Sequence, residues 1–322
     1  MSLLEGTERL VHLAGVNRGT DEEVRSGNVE FAQQLAESLL KAGNPPQEVV
    51  FANSVQTGNG SVYGEAKAEA SAILKSAAEI VGANYTDVEL PNLFGEHGKP
   101  FYNSVVATFC HLLEKEQTPE VKDDKELVLV HAQNAAEVLV GAASPESLSA
   151  LSSRQTVSGL LVQLKSIAET YRSGDIPDVC SSFDLDLFNT YRSFRVGSDL
   201  PFKLERRADA RGSFFEVCRS HGGQGQTSFS TTAPGITRGQ HFHRRKVERF
   251  VVLSGEALIS MRQLFTGEVL RFRVTGDSPV AIDMPTLWTH DMTNVGDSEL
   301  YTMFWTNDIF DPSNPDTIAE EV

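Results

Sequence analysis

The sequence predicts an α/β half followed by an all-β half, and three observations carry that expectation. Short apolar runs alternate with helical patterns over residues 8–172. From about residue 200 the pattern becomes dense β runs punctuated by Gly, Pro and Asn/Asp turns. Between them, 173–199 is rich in Gly, Ser, Asp and Pro and reads as a connector. Strand-helix alternation at this spacing argues for a parallel sheet with helical crossovers. Closely spaced short strands argue for a closed barrel or a sandwich. A chain of 322 residues has room for both, since domains run to about 100–200 residues.

In the first half the expected strands are 10–13, 48–52, 87–90 and the apolar run 127–130. The expected helices are 21–42, 63–81, 104–116, 132–141 and 156–172. In the second half the clearest strands are 250–253, 257–261, 269–274, 280–282 and 300–305. No window approaches 18 uncharged apolar residues, so no membrane span is expected. The N-terminus MSLLEGTERL lacks the basic start and long apolar run of a signal peptide. Cys110, Cys180 and Cys218 are odd in number and far apart, which fits a reducing cytoplasm. A net charge of −16 argues against a nucleic-acid partner. An anionic ligand such as a nucleotide sugar would need a locally basic pocket.

The strongest chemical signal is GITRGQHFHRRKVERFVVLSG, Gly235 to Gly255. On a strand, alternate side chains share a face, so His241 and His243 are expected to point the same way. A tight turn would bring the Glu248 carboxylate back beside them, and the segment from Pro285 to Asn294 supplies His290. Three imidazoles and a carboxylate suit Zn²⁺, Fe²⁺, Mn²⁺ or Ni²⁺, and ligand type alone does not choose. These residues resemble the cupin superfamily. Its first motif, G-x5-H-x-H-x3,4-E-x6-G, is matched by Gly235, His241, His243, Glu248 and Gly255. The second is met by Pro285, His290 and Asn294, with Leu287 in place of the usual glycine. The stretch Asp209-Ala-Arg211-Gly212-Ser-Phe214-Phe-Glu216 is similar to the D-x-R-G-x-F-x-E element of the dTDP-sugar 3,5-epimerases. That resemblance implies nucleotide-sugar contacts for Arg211, Phe214 and Glu216; a planar guanidinium suits a diphosphate.

In the first half, Tyr63 and Lys67 stand four apart at an expected helix start, hence on one face. A nearby ammonium lowers a phenol's pKa, which would make Tyr63 a proton donor to a carbonyl. With Ser54 at the end of a strand, the set resembles the Ser, Tyr-x3-Lys catalytic group of extended short-chain dehydrogenases. His12-Leu-Ala14-Gly15, Asn28-Val29 and Pro91-Asn92-Leu-Phe-Gly95 are further matches. The resemblance implies a partial Rossmann-like parallel sheet over 1–195 and a cupin β-barrel over 200–322. It also implies cofactor contacts by His12, Ala14, Gly15, Tyr63 and Lys67. The chain begins where that family's fourth strand should be, and neither G-x-G-x-x-G nor G-x-x-G-x-x-G occurs in it. The expectation is therefore a reductase half lacking its first βαβ unit, with weak or absent NADPH binding.

Joined in this order, the halves resemble the bifunctional capsular-polysaccharide enzymes of the UDP-N-acetyl-L-fucosamine pathway. Shared stretches include Ala107-Thr-Phe-Cys-His111, Thr231 to Gly239 and Phe304 to Pro312. The resemblance implies C3 epimerisation of a UDP-4-keto-6-deoxy-N-acetylhexosamine by the cupin, then NADPH-dependent reduction at C4. It further implies zinc and a homodimer. Lys246, near the expected ligands, is a candidate base and equally reads as a solvent-exposed turn lysine. Two other readings stay open: a metal-dependent cupin dioxygenase, and a lapsed sugar-nucleotide binding or dimerisation module.

Overall fold

The computed structural model describes residues 4–197, 200–205, 207–209, 212–215 and 217–322, with the backbone alone for 207–209 and 212–214. Two compact units form, and they do not follow chain order. One is Met1–Leu93 with Glu126–Gln155; the other is Phe94–Lys125 with Thr156–Val322.

In the first unit β1 (Arg9–His12), β2 (Glu48–Ser54) and β3 (Asn84–Leu90) pair in parallel in that order. Parallel neighbours need crossovers, supplied here by α1 (Asp21–Lys41) and α2 (Val62–Val81). A capping box starts α1, in which the Thr20 side chain accepts from the Glu23 N–H and the Glu23 carboxylate accepts from the Thr20 N–H. Ser61 caps α2, which ends on Gly82 at φ 75°. Ala66, Ala70, Leu74, Ala77 and Ala78 make its buried stripe, and Ala70 and Leu74 pack with Ala32 of α1 and Phe51 of β2. A smaller sheet follows, with β4 (Asn92–Phe94), β5 (Glu126–His131) and β6 (Ser153–Thr156) in that order. The helices α4 (Ala132–Val140) and α5 (Ser147–Leu151) accompany it. Val50, Val88, Val130 and Val138 share one apolar cluster, so both sheets of this unit rest on common burial.

Among its described residues the second unit holds three helices, α3 (Val105–Glu114), α6 (Val157–Arg172) and α7 (Ser182–Arg195). Helix α7 corrects the expectation of a plain connector over 173–199. The Ser181 hydroxyl accepts from the Asp184 N–H, and Gly174 and Pro177, the strongest loop signals of the stretch, lie before this cap. Leu187, Phe188 and Tyr191 then bury one face.

The strands of this unit are β7 (Phe202–Lys203), β8 (Arg207–Asp209), β9 (Gly212–Phe214), β10 (Gln226–Thr232), β11 (Thr237–Phe242) and β12 (Glu248–Ser254). They continue as β13 (Glu256–Gln263), β14 (Val269–Thr275), β15 (Val280–Met284), β16 (Trp288–Asn294), β17 (Leu300–Thr306) and β18 (Ile318–Ala319). Strands β8 and β9 form an antiparallel pair. The others build two five-stranded antiparallel sheets, ordered β10-β17-β12-β15-β7 and β14-β13-β16-β11-β18. The expected barrel does not close: among the described residues each ladder ends on edge strands, and no hydrogen-bonded pairing joins the two sheets. What joins them is apolar. Val252, Ile282, Met284 and Leu300 from one sheet bury with Ile259, Met261, Trp288 and Met292 from the other.

One buried ion pair ties helix to sheet inside this unit. Arg249 of β12 donates through Nε and Nη2 to Asp283 of β15 at 2.6 and 3.0 Å, with both side chains 1% exposed. The Tyr171 hydroxyl of α6 donates to the same carboxylate at 2.8 Å, and Arg249 Nη1 donates to the Gly174 carbonyl at 2.6 Å. Burial works against the Asp283 anion, yet the guanidinium holds its carboxyl below the usual range.

Candidate metal centre and a second polar cluster

Sequence alternation alone does not bring the three histidines together. Strand β11 carries His241 and Phe242 and stops there, with a bulge between Gly239 and His241 and Gln240 at φ 61°. His243 follows in the turn. Its partner strand β16 places His290 directly opposite His241, and β12 opens on Glu248. The ligand atoms of His241, His243, Glu248 and His290 all lie within 4.8 Å of one another. His243, Glu248 and His290 are buried; His241 is half-buried. The second-motif position where glycine is usual holds Leu287 at φ 63°, so this leucine adopts the left-handed backbone itself.

The hydrogen bonding fixes how these rings face the centre. Asp316 offers a carbonyl oxygen 2.6 Å from His243 Nδ1, and a carbonyl only accepts, so Nδ1 carries the proton. The His243 Nε2 lone pair is then aimed at Glu248 Oε2, 2.9 Å away. His290 Nδ1 lies 3.3 Å from the Trp288 carbonyl, and its Nε2 sits 3.4 Å from the same Glu248 oxygen with no hydrogen bond. Two imidazole lone pairs facing one carboxylate oxygen at these distances need a cation between them, a proton or a metal ion. Three imidazoles and a carboxylate are the donor set of a first-row divalent metal, so the residues present fit one. Burial opposes the Glu248 anion, but the adjacent His243 and His290 hold its carboxyl well below the usual range. Burial first, then the neighbouring His290 and His243, push His241 down to about 4, which favours the neutral, ligating form.

These residues open on a cavity of about 370 Å³ whose walls include Phe250, Phe304 and Phe310. Two cations line it. Arg238 of β11 makes no side-chain ion pair among the described residues. Lys246 donates from Nζ to the Pro315 carbonyl at 2.9 Å. Arg238 was not singled out by sequence: period-two alternation sets it on the face opposite His241, and the register shift between Gly239 and His241 offsets that alternation. Arg211 and Glu216 lie outside the described residues. Phe214 ends β9, and its side chain is likewise outside what is described.

In the first unit, Ser54, Tyr63 and Lys67 come together with His12. Burial raises the Tyr63 phenol, and a hydrogen bond with Ser54 lowers it in part. Lys67 is not among the groups that shift this phenol, and its ammonium has partners of its own. It donates to the Ala52 carbonyl at 2.7 Å and sits 4.1 Å from the centroid of the Phe51 ring. Burial lowers Lys67 to about 8, with Asp87 opposing. His12 is buried, stacks on Phe51 at 5.6 Å, and leaves Nε2 unpartnered. Ala14 and Gly15 are exposed after β1, and Asn28 explains the glycine, since a Cβ there would meet Asn28 Oδ1 at 2.6 Å.

Comparisons with known proteins agree on a biological setting. A family described as polysaccharide biosynthesis C-terminal domain matches residues 207–318. The UDP-2-acetamido-2,6-beta-L-arabino-hexul-4-ose reductase of Pseudomonas aeruginosa is 31% identical over 325 residues, 98% of this chain and 87% of that protein. The crystal structure of the capsular polysaccharide assembling protein CapF from Staphylococcus aureus superposes with a TM-score of 0.56 at 30% identity, covering 98% of this chain and 87% of CapF. The spore coat polysaccharide biosynthesis protein SpsL of Bacillus subtilis is 25% identical over 123 residues, 35% of this chain and 82% of SpsL.

Proposed function

Because the chain belongs to the family of the UDP-2-acetamido-2,6-beta-L-arabino-hexul-4-ose reductase, we propose that it modifies a nucleotide sugar for capsular polysaccharide synthesis. Its second unit is the C3 epimerase of a UDP-4-keto-6-deoxy-N-acetylhexosamine. The observation that carries this reading is the convergence of His241, His243, Glu248 and His290 at the wall of a cavity that also presents Arg238 and Lys246.

The chemistry follows from the substrate class. The C3 proton lies beside the C4 ketone, so its removal leaves an enolate, and reprotonation from the opposite face inverts C3. Negative charge builds on O4 during that step and calls for a fixed positive charge or donor. A divalent ion held by the four ligands would supply such charge, or would order the strands if the four close its coordination. Arg238 is placed to meet a phosphate oxygen, with the flat fork that suits one. Lys246 reaches the same cavity but is held on the Pro315 carbonyl, which suits it to orient substrate oxygen. Arg211, Phe214 and Glu216 keep the nucleotide-sugar contacts that their motif implies.

For the first unit the proposed step is reduction of the C4 ketone, with the Tyr63 phenol giving its proton to the alkoxide and Ser54 holding that phenol. NADPH would supply the hydride. Neither Gly-rich dinucleotide-binding pattern occurs in the sequence.

The test is solvent exchange. With the 4-keto sugar nucleotide in D₂O and no NADPH, the wild-type chain is expected to place deuterium at C3. It should carry close to one equivalent of metal, lost in His290→Ala together with the exchange. Arg211→Ala should slow exchange by about ten- to a hundredfold if a charge-assisted phosphate contact of ~1.5–3 kcal/mol is removed. No exchange above the enzyme-free control, with folded and metal-loaded protein, would sink the epimerase and favour a binding module. Stoichiometric iron with oxygen uptake would favour a dioxygenase.

A further inference from the structure

From the geometry of the C-terminal strap we infer that Asp316 is a positioning residue for the candidate metal centre, a conclusion that rests on the metal reading above. Asp316 acts twice. Its carbonyl accepts the His243 Nδ1 proton at 2.6 Å. Its carboxylate accepts from the consecutive backbone N–H groups of Arg244, Arg245 and Lys246 at 3.1, 2.9 and 2.8 Å. Those three residues form the turn that separates His243 from Glu248. One side chain therefore fixes the turn between two ligands, and the same residue's carbonyl fixes the tautomer of one of them.

The rest of the strap holds Asp316 in place. Strand β18 pairs with β11 at Ala319 opposite His241 and Ile318 opposite Phe242. The Thr289 hydroxyl donates to the Glu320 carbonyl at 2.6 Å, beside His290 on β16. Arg262 pairs with Glu320 at 2.8 Å, and the Val322 N–H donates to Gln240 Oε1 at 3.0 Å. Asp316 itself sits at φ 43°, a left-handed backbone that Asp and Asn tolerate and Ala does not. The strap touches β11 and β16, the strands that carry His241 and His290, and nothing in the cupin motifs points to it.

A residue that holds a ligand's second ring nitrogen sets tautomer and ring orientation, and its loss typically weakens metal binding about 10–100-fold. Three substitutions separate the contributions. Asp316→Asn keeps the backbone and one acceptor, Asp316→Gly keeps the backbone alone, and Asp316→Ala keeps neither. Zinc and cobalt affinities, by chelator competition on the full chain, are expected to fall in that order, with Asp316→Ala about 10–100-fold below wild type. The cobalt d–d spectrum should broaden in parallel. The histidine ¹H–¹⁵N spectrum of the metal-free protein should show His243 protonated at Nδ1 in wild type and Asp316→Asn, and mixed in Asp316→Ala. Wild-type affinity and an unchanged His243 tautomer in Asp316→Ala would overturn the assignment. If wild type binds neither metal, the metal reading fails on its own, while the tautomer measurement still decides whether Asp316 orients His243.

Discussion

Replacing Asp283 by alanine tests whether the buried contact between helix and sheet governs the strand that carries Glu248. The Arg249 guanidinium would lose both of its carboxylate bonds, now 2.6 and 3.0 Å, while staying buried. Removing one member of a buried ion pair costs about 3–5 kcal/mol, because the remaining charge is left without a partner. The Tyr171 hydroxyl would lose its acceptor too, a further ~1–3 kcal/mol. Both losses fall on one carboxylate and overlap, so the expected total is about 4–6 kcal/mol. In a unit of this size that lowers Tm by about 10–20 °C. The two tryptophans, Trp288 and Trp305, lie on β16 and β17, so their fluorescence during urea unfolding reports this unit alone. Arg249→Met with Asp283→Leu should recover most of the loss, since no uncompensated charge remains. The pH dependence has a definite sign. Asp283 is held below its ordinary value of 3.8, so its contribution is full above that value and fades as pH falls further. The gap between wild type and Asp283→Ala should therefore narrow in acid. A loss under 1 kcal/mol at neutral pH would refute the reasoning.

Two further outcomes follow from the backbone and the unit boundary. Leu287→Gly should raise stability by about 0.5–1 kcal/mol, by relieving a left-handed leucine at φ 63°; a urea midpoint lower than wild type would show that its side-chain packing outweighs the strain. A fragment beginning at residue 200 lacks Tyr171 and the Gly174 carbonyl, so it should be less stable by chemical denaturation than one beginning at 156. Equal stability of the two would show that α6 and α7 are dispensable to the sandwich.

Much of the fold was legible because periodicity carries it. The alternating strand-helix pattern of the first unit appears within a few residues of where it was read, with β2 running to Ser54 and α2 starting at Val62. Helix α7 was missed because the Gly, Ser, Asp and Pro before its cap colour the whole stretch, while Tyr191 and Arg192 bury on a face that composition does not reveal. The relation between Tyr63 and Lys67 was only partly legible, for a different reason. Helical spacing puts the two residues on one face, but the ammonium meets the Ala52 carbonyl of a strand distant in sequence. Tertiary partners of that kind have no local signature. The buried carboxylate of Asp283 is the same case, since it pairs with Arg249 only because β12 and β15 are neighbours.

At the candidate metal centre, the meeting of the four residues and their orientation come from different parts of the chain. Period-two alternation places His241 and His243 together, yet β11 is bulged at Gln240 and ends before His243. Regular pairing alone would leave the second histidine free to turn with its loop. What fixes it is the Asp316 carbonyl and the carboxylate that gathers the turn from Arg244 to Lys246. The spacing of the histidines and glutamate thus encodes which residues meet, whereas their orientation is encoded about seventy residues later, in a strap outside both motifs. The two kinds of information should separate experimentally. Substituting a ligand removes the site, and substituting Asp316 leaves four ligands in place but loosens their geometry.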